Sequence, residues 1–148
     1  MANIFVEGKT PIGQSFKESL LPVSVTGYTR GLAVTSGVAS GSDAYHCALI
    51  AAAGVAALGI IEEDQVVGAG ATSPNSPVSV IEFGQAVAQI GANITAMQPL
   101  ATNAAGQLVP QTTGQPMVAI ALESQTYVAP GSFALVFVLG PMSFAALP

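Results

Sequence analysis

Ionisable side chains are scarce in this sequence, and their scarcity excludes several kinds of function. Charged residues make up 7% of the 148 positions, compared with about 25% in an average soluble domain. Residues 83–122 contain no Asp, Glu, Lys or Arg. A segment without acids and bases cannot line a catalytic cleft that works by proton transfer. A free monomer also needs surface charge for solubility, so we expect partners to cover much of this protein.

Basic residues are the rarest charged class. Lys9, Lys17 and Arg30 are the only three, and the net charge is −5. Binding to a phosphate backbone depends on clustered lysine and arginine, so the composition argues against nucleic acid as a partner. Disorder is not expected either, because it requires low hydrophobicity and 51% of the residues are hydrophobic.

Cysteine and targeting segments are also missing or nearly so. Cys47 is the single cysteine, so no disulfide forms within the chain, and folding in a reducing cytoplasm is expected. Residues 1–10 lack the apolar core of a signal peptide. The uncharged run at 44–61 is rich in Ala, is interrupted by His46 and Gly54, and is followed by three acids, so we predict no membrane span.

Short apolar runs separated by turn residues are what the sequence does contain. They recur every ten residues or so, which is typical of a small all-β barrel or sandwich. We therefore predict a small β-barrel or β-tulip of short antiparallel strands with an N-terminal arm. A hairpin turn is expected at Asn-Ala-Ala-Gly 103–106, with Gly106 free to take a positive φ. Other predicted strands lie at residues 32–35, 46–50, 58–62, 78–83, 118–123 and 133–139, and Gly84 opens the segment after the fourth of these.

His46 and Cys47 have the composition of a reactive pair but not its arrangement. They are adjacent, so on a strand their side chains point to opposite faces and cannot form a nucleophile–base dyad. No cation lies near them in sequence to stabilise a thiolate. We interpret them as structural residues.

The acids are equally unpromising as ligands. Glu62, Glu63 and Asp64, with Asp43, could be considered for calcium, but three consecutive acids point in different directions. We interpret the run as a solvated strand end. The eight acids show no pairing of the kind that a glycosidase needs, and the glycine-rich run at 68–72 lacks the Gly-Lys-Ser/Thr of a phosphate loop. No enzyme, cofactor or metal site is predicted.

Several segments resemble the small β-rich capsid decoration proteins of tailed bacteriophages, also called head cement proteins. The resemblance lies in residues 92–109, where an apolar turn is followed by a polar tip, and in the buried strands at 118–123 and 133–139. An upstream segment at 58–63, before a Pro-Val-Ser-Val strand at 77–80, also matches.

The resemblance implies a β-barrel or β-tulip subunit, often a trimer, bound to the outside of an icosahedral shell, with no catalysis and no cofactor. It covers about residues 48–139. Two positions depart from the family's pattern. Ala119 replaces a usual Gly in the buried strand, and Met97-Gln98 replaces a usual Gly-Asp after the apolar turn.

The N-terminal segment is not covered by the resemblance. We predict that residues 1–21 form an arm and that residues 22–148 form the β-barrel decoration domain. Residues 16–21 could make one helical turn ended by Pro22; the alternative is an ordinary first strand of the barrel. As an arm the segment would contact the shell or another subunit. The predicted interface residues are Asn3, Ile4, Phe5, Val6, Ile12, Phe16, Leu20 and Leu21.

Together these features predict a structural protein on the outer surface of a phage head, made in the host cytoplasm. Its expected partners are the major capsid protein and itself in a homotrimer, whose equivalent sites would turn weak contacts into avidity. Nucleic acid and membrane are not expected partners. The alternatives are a head-fibre or tail component and a trimeric β-module that binds host carbohydrate. The last would need exposed aromatic residues, and the tyrosines are Tyr28, Tyr45 and Tyr127.

Overall fold

A computed structural model describes residues 15–24, 27–37, 46–65 and 77–140. These residues form nine β-strands and no α-helix, which confirms the predicted all-β class. In this part of the chain no helix is long and apolar enough to cross a membrane. The strands are β1 (Phe16–Pro22), β2 (Ala33–Gly37), β3 (His46–Leu49), β4 (Gly59–Ile61), β5 (Val78–Gln89), β6 (Pro99–Thr102), β7 (Leu108–Pro110), β8 (Ala119–Ala121) and β9 (Phe133–Val138).

The first five strands close into a barrel. Their order around it is β1-β3-β2-β4-β5, and β1 pairs with β5 to complete the ring. These pairings are antiparallel, as predicted, with the exception of the parallel contact between β1 and β3. The buried cluster of the barrel consists of Leu20, Tyr28, Val34, Cys47, Ile61, Val78 and Val80.

The remaining strands form a second sheet on the other half of β5. Its order is β5-β9-β8-β6-β7 and all its pairings are antiparallel. A bridge between Ile90 and Leu108 brings β7 back to the end of β5. The second buried cluster joins Ile60 and Ile81 of the barrel strands to side chains of this sheet such as Val136. The two halves are therefore held together by apolar burial as well as by the strand they share.

The shared strand β5 is longer than the sequence predicts. The pattern ends a strand at residue 83 and lets Gly84 open the next segment, whereas β5 continues to Gln89. Gly84 has a φ of 109°, a conformation that glycine adopts readily because it has no Cβ. Before Gly84, β5 pairs with β1 and β4, and from Gly84 onwards it pairs with β9. The glycine thus redirects the strand into the second sheet without ending it.

The predicted helical turn over residues 16–21 is wrong, because these residues lie in β1. Leu20 is buried in the barrel while Ser19 and Lys17 are exposed, which is the alternation of a strand. β1 pairs with both β3 and β5, so the sheet satisfies its backbone polar groups. The alternative, a first strand of the barrel, is what residues 16–22 adopt, so the predicted boundary at residue 21 falls inside β1. Residues 1–14 lie outside the described residues.

The hairpin predicted at residues 103–106 is confirmed between β6 and β7. Gly106 has a φ of 75°, and Asn103 Oδ1 accepts hydrogen bonds from the backbone N–H groups of Ala105 and Gln107 at 2.9 and 3.0 Å. The turn also contacts the barrel, because the Ala33 N–H donates to the Gly106 carbonyl at 2.8 Å. This hairpin therefore helps to fix the second sheet on β2.

Met97 is the one non-glycine residue with positive φ in the described part of the chain. Its φ is 65° and its side chain is 74% exposed. Its N–H donates to the Ala121 carbonyl at 2.8 Å, and the N–H of Gln98 donates to the Thr95 carbonyl at 3.0 Å, so hydrogen bonds fix the turn. Glycine adopts this left-handed backbone more readily than methionine does, because it has no Cβ.

We expect Met97→Gly to raise the free energy of unfolding by about 1 kcal/mol. A left-handed conformation costs an L-residue roughly 1–2 kcal/mol, and glycine would remove this cost. The greater freedom of glycine in the unfolded chain offsets part of the stabilisation. Little packing is lost, because the side chain is exposed. Chemical denaturation measures the change, and Met97→Ala is the control, since it removes the same side chain but keeps the Cβ. Equal stability of the two variants would show that the left-handed backbone at Met97 is not strained.

Candidate interaction surface

His46 and Cys47 are buried residues of β3, which agrees with their interpretation as structural. Neighbours on a strand point to opposite faces, so the two side chains do not form a dyad. Burial raises the pKa of the Cys47 thiol to about 11, because an apolar environment disfavours the charged thiolate. The thiolate that a nucleophile requires is therefore scarce at neutral pH.

Glu62 is not part of a solvated strand end, and that interpretation is wrong for this residue. Its side chain is buried and forms an ion pair with Lys17 of β1. The Ser79 hydroxyl of β5 donates to its second carboxylate oxygen at 2.8 Å. One carboxylate that directly follows β4 therefore connects the two strands that close the barrel.

The other acids of this run do not form a metal site with it. Asp64 Oδ1 accepts a hydrogen bond from the Arg30 backbone N–H at 2.8 Å, and Glu63 is exposed. Among the residues that the structure describes, no three His, Cys, Asp or Glu side chains are grouped as metal ligands. Asp43 and the glycine-rich run at 68–72 lie outside them.

A carboxyl pair that the sequence gives no sign of lies between β1 and β5. Glu82 is buried, with 8% of its surface exposed, and Glu18 of β1 is the acid that interacts with it. Burial is the main cause that raises the pKa of Glu82, followed by the negative charge of Glu18. The sequence does not indicate this interaction, because strand pairing joins residues that lie far apart in the chain. It does not supply the two acids facing one groove that a glycosidase needs.

Two exposed phenylalanines, Phe16 and Phe83, and the half-buried Phe137 form an aromatic strip where β5 pairs with β1 and with β9. Phe16 and Phe83 are opposite each other on neighbouring strands and are 58% and 44% exposed. The rings of Phe83 and Phe137 meet edge to face, with centroids 5.2 Å apart and an interplanar angle of 86°. Exposed aromatic groups of this kind are enriched in protein interfaces. The aromatic strip is the candidate interaction surface.

The two ends of the described chain reach this same surface. β1 begins opposite Phe83 and β9 ends opposite Gly84. The hydroxyl of Ser15 donates to the Gln85 carbonyl at 2.7 Å and fixes the backbone just before β1. The segments that precede and follow the fold therefore start beside the aromatic strip.

Only part of the predicted interface can be located. Phe16 belongs to the aromatic strip, and Leu21 is half-buried. Leu20 is 1% exposed in the barrel core, so it serves the fold and is not available for docking. The other predicted interface residues lie outside the described residues; they are Asn3, Ile4, Phe5, Val6 and Ile12. The sequence alone does not identify Phe83 and Phe137 as interface residues, because both belong to apolar runs that are typical of a buried core.

The two described tyrosines among those considered for carbohydrate binding do not form a surface. Tyr28 is buried in the barrel, where its hydroxyl donates to the Cys47 carbonyl at 3.0 Å. Tyr127 is half-buried against the second core, and Tyr45 lies outside the described residues. Tyr28 is thus a structural residue that closes one end of the barrel interior.

The fold defines a class of small all-β modules in which a five-stranded barrel continues through one long strand into a second sheet. This arrangement is similar to the crystal structure of the N base of head fibre gp8.5 from bacteriophage phi29. The likeness has a TM-score of 0.60 and covers 91% of this chain and 99% of that chain, at 14% sequence identity. At this identity the likeness is one of fold. No protein-family model and no curated protein sequence matches the chain.

We expect Lys17→Met to lower the free energy of unfolding by roughly 1–3 kcal/mol, because Glu62 would stay buried with its main partner removed. Denaturation with guanidinium measures the loss. In a Glu62→Gln background the same change should cost much less, since no charge is then left unpaired. Glu63→Gln is the control for an exposed acid, with an expected change within about 0.5 kcal/mol. An equal cost of Lys17→Met in both backgrounds would show that the pair has no coupling.

We also expect the native Cys47 thiol to resist an aromatic disulfide reagent at neutral pH. Its burial and raised pKa limit the reaction to molecules that open locally or globally. The absorbance of the released thiol measures the rate, and the unfolded protein in denaturant gives the reference. Native Cys47 reacting as fast as in the unfolded chain would contradict its burial.

Proposed function

We propose that this protein is a non-enzymatic structural component of a bacteriophage virion, bound to the outer surface of the head. The observation that carries the proposal is the likeness of nearly the whole fold to the base of a phage head fibre. The pattern of residues 48–139, which resembles head decoration proteins, supports the same place in the particle. The low content of charged residues fits a chain whose surface is largely covered by other proteins.

Self-association through the aromatic strip is part of the proposal. Phe16 and Phe83 expose large apolar rings on a protein that has few charges to keep it soluble. Contact between copies would bury these rings, and a symmetric homotrimer would present three equivalent surfaces to the major capsid protein. Several weak contacts made together then hold longer than one.

Two modes of attachment follow from the two likenesses. A cement protein bridges neighbouring capsid subunits, so its removal should weaken the head against heat or low salt. A fibre base anchors a projecting structure, so its removal should leave head stability unchanged and remove the projection. The resemblance of the sequence supports the first mode, and the phi29 fibre base supports the second.

The test is to purify particles from the source of this sequence and to label them with antibodies against the protein. Gold particles on the outside of intact heads, together with the protein in the mass spectrum of the particles, are the expected result. Thermal release of DNA from particles with and without the protein distinguishes cement from fibre base. Absence of the protein from purified particles would overturn the proposal.

We expect Phe83→Ser to shift the purified protein from a trimer towards a monomer. Light scattering or native mass spectrometry measures the change. Val128→Ser is the matched control, because Val128 is 82% exposed and lies outside the aromatic strip. Circular dichroism verifies that both variants are folded. A wild-type protein that is monomeric at all concentrations would contradict self-association while leaving the virion location to the labelling experiment.

A further inference from the structure

The pairing of β1 with β5 is the seam that closes the barrel, and it contains an irregularity at Glu82. Phe16 is opposite Phe83, but the next residue, Lys17, is opposite Ile81. Glu82 is therefore an extra residue with no partner on β1, which makes this site a β-bulge. Bulges re-aim side chains and interrupt pairing, and they recur next to functional sites.

Two carboxyl groups lie close together at the bulge. Leu20, Val78 and Val80 belong to the barrel core, and Glu18 is opposite Val80, so Glu18 lies on the inner face of β1. Glu82 is 8% exposed, and its burial and the negative charge of Glu18 raise its pKa. Glu82 Oε1 is buried without a partner among the described residues.

No described cation faces this pair to neutralise it. The Lys17 amino group lies on the outer face of β1, where Glu62 holds it. β4 and β9 also pair with β5, and neither contains an ionisable side chain. His46 lies opposite Leu21, at the other end of β1. With no cation facing them from the described residues, the two acids repel each other when both are ionised, which favours a shared proton.

We propose that Glu18 and Glu82 form a proton-dependent latch that holds the first residues of β1 on β5. With one proton bound, the neutral carboxyl donates to its charged neighbour, and the seam is closed. When the proton leaves, two negative charges face each other in a site with little water, and residues 16–18 separate from β5. Separation uncovers the β5 edge beside Phe83, so an unpaired strand edge becomes available to a second chain.

The direction of the pH effect follows from the raised pKa of Glu82. The folded protein binds this proton more tightly than the unfolded chain does. Protonation of Glu82 therefore stabilises the folded protein fully at pH values below the pKa of Glu82 in the unfolded chain, near 4.5. This stabilisation is lost as the pH rises through the pKa of Glu82 in the folded protein. Each unit by which the pKa is raised corresponds to about a tenfold change in the unfolding constant.

Amide hydrogen exchange on the full chain tests the latch. Protection factors, corrected for the intrinsic pH dependence of exchange, are measured at about pH 4 and about pH 8. We expect protection of residues 16–18 to be lower at the higher pH, while amides between β5 and β9 change much less. Glu82→Gln should remove the difference, since the amide cannot ionise, and the control Glu63→Gln should keep it.

The latch is overturned if protection of residues 16–18 does not depend on pH, or if Glu82→Gln leaves the dependence intact. Should that variant fail to fold, the carboxyl carbon of Glu82 in the wild-type protein can be titrated by NMR. Titration at or below the ordinary value for glutamate would equally overturn the proposal. Glu18→Gln gives a further check, because loss of the neighbouring charge should move the titration of Glu82 to lower pH.

Discussion

The fold depends on one strand that belongs to two sheets. The first half of β5 pairs with β1 and β4, and the second half pairs with β9. Its side chains contribute to both buried clusters, with Val80 in one and Ile81 in the other. Because a strand alternates its side chains between two faces, a single twelve-residue element can organise both cores. The irregular features of the molecule, Gly84 and the bulge at Glu82, lie where this strand changes its partners.

Local features of the fold could be predicted from the sequence, and long-range pairings could not. The turn ending at Gly106 and most of the apolar strands follow from residues that are neighbours in the chain. Residues 16–21 suit a helical turn or a first strand when only their neighbours in the chain are considered, and pairing with β5 decides for the strand. The contact of Glu18 with Glu82 has no local signal at all. Glu18 and Glu82 are 64 positions apart in the chain.

Two of the acids that the structure describes are used inside the fold. Glu62 is buried against Lys17, and Glu82 is buried close to Glu18. Both contacts involve β1, while the neighbouring surface exposes phenylalanine. A chain with few ionisable groups has therefore placed several of them at the closure of its barrel, where burial strengthens electrostatic effects.

β1 begins and β9 ends near the centre of β5, which has a practical consequence for display of foreign peptides. A passenger joined directly to the start of β1 or to the end of β9 would emerge beside Phe83 and crowd that face. The turn at 129–132 lies at the other end of β9, roughly 20 Å away. Pro130 is exposed there, and an added side chain at Gly131 would meet no atom within 4 Å. A loop inserted at this turn would point cargo away from the aromatic strip.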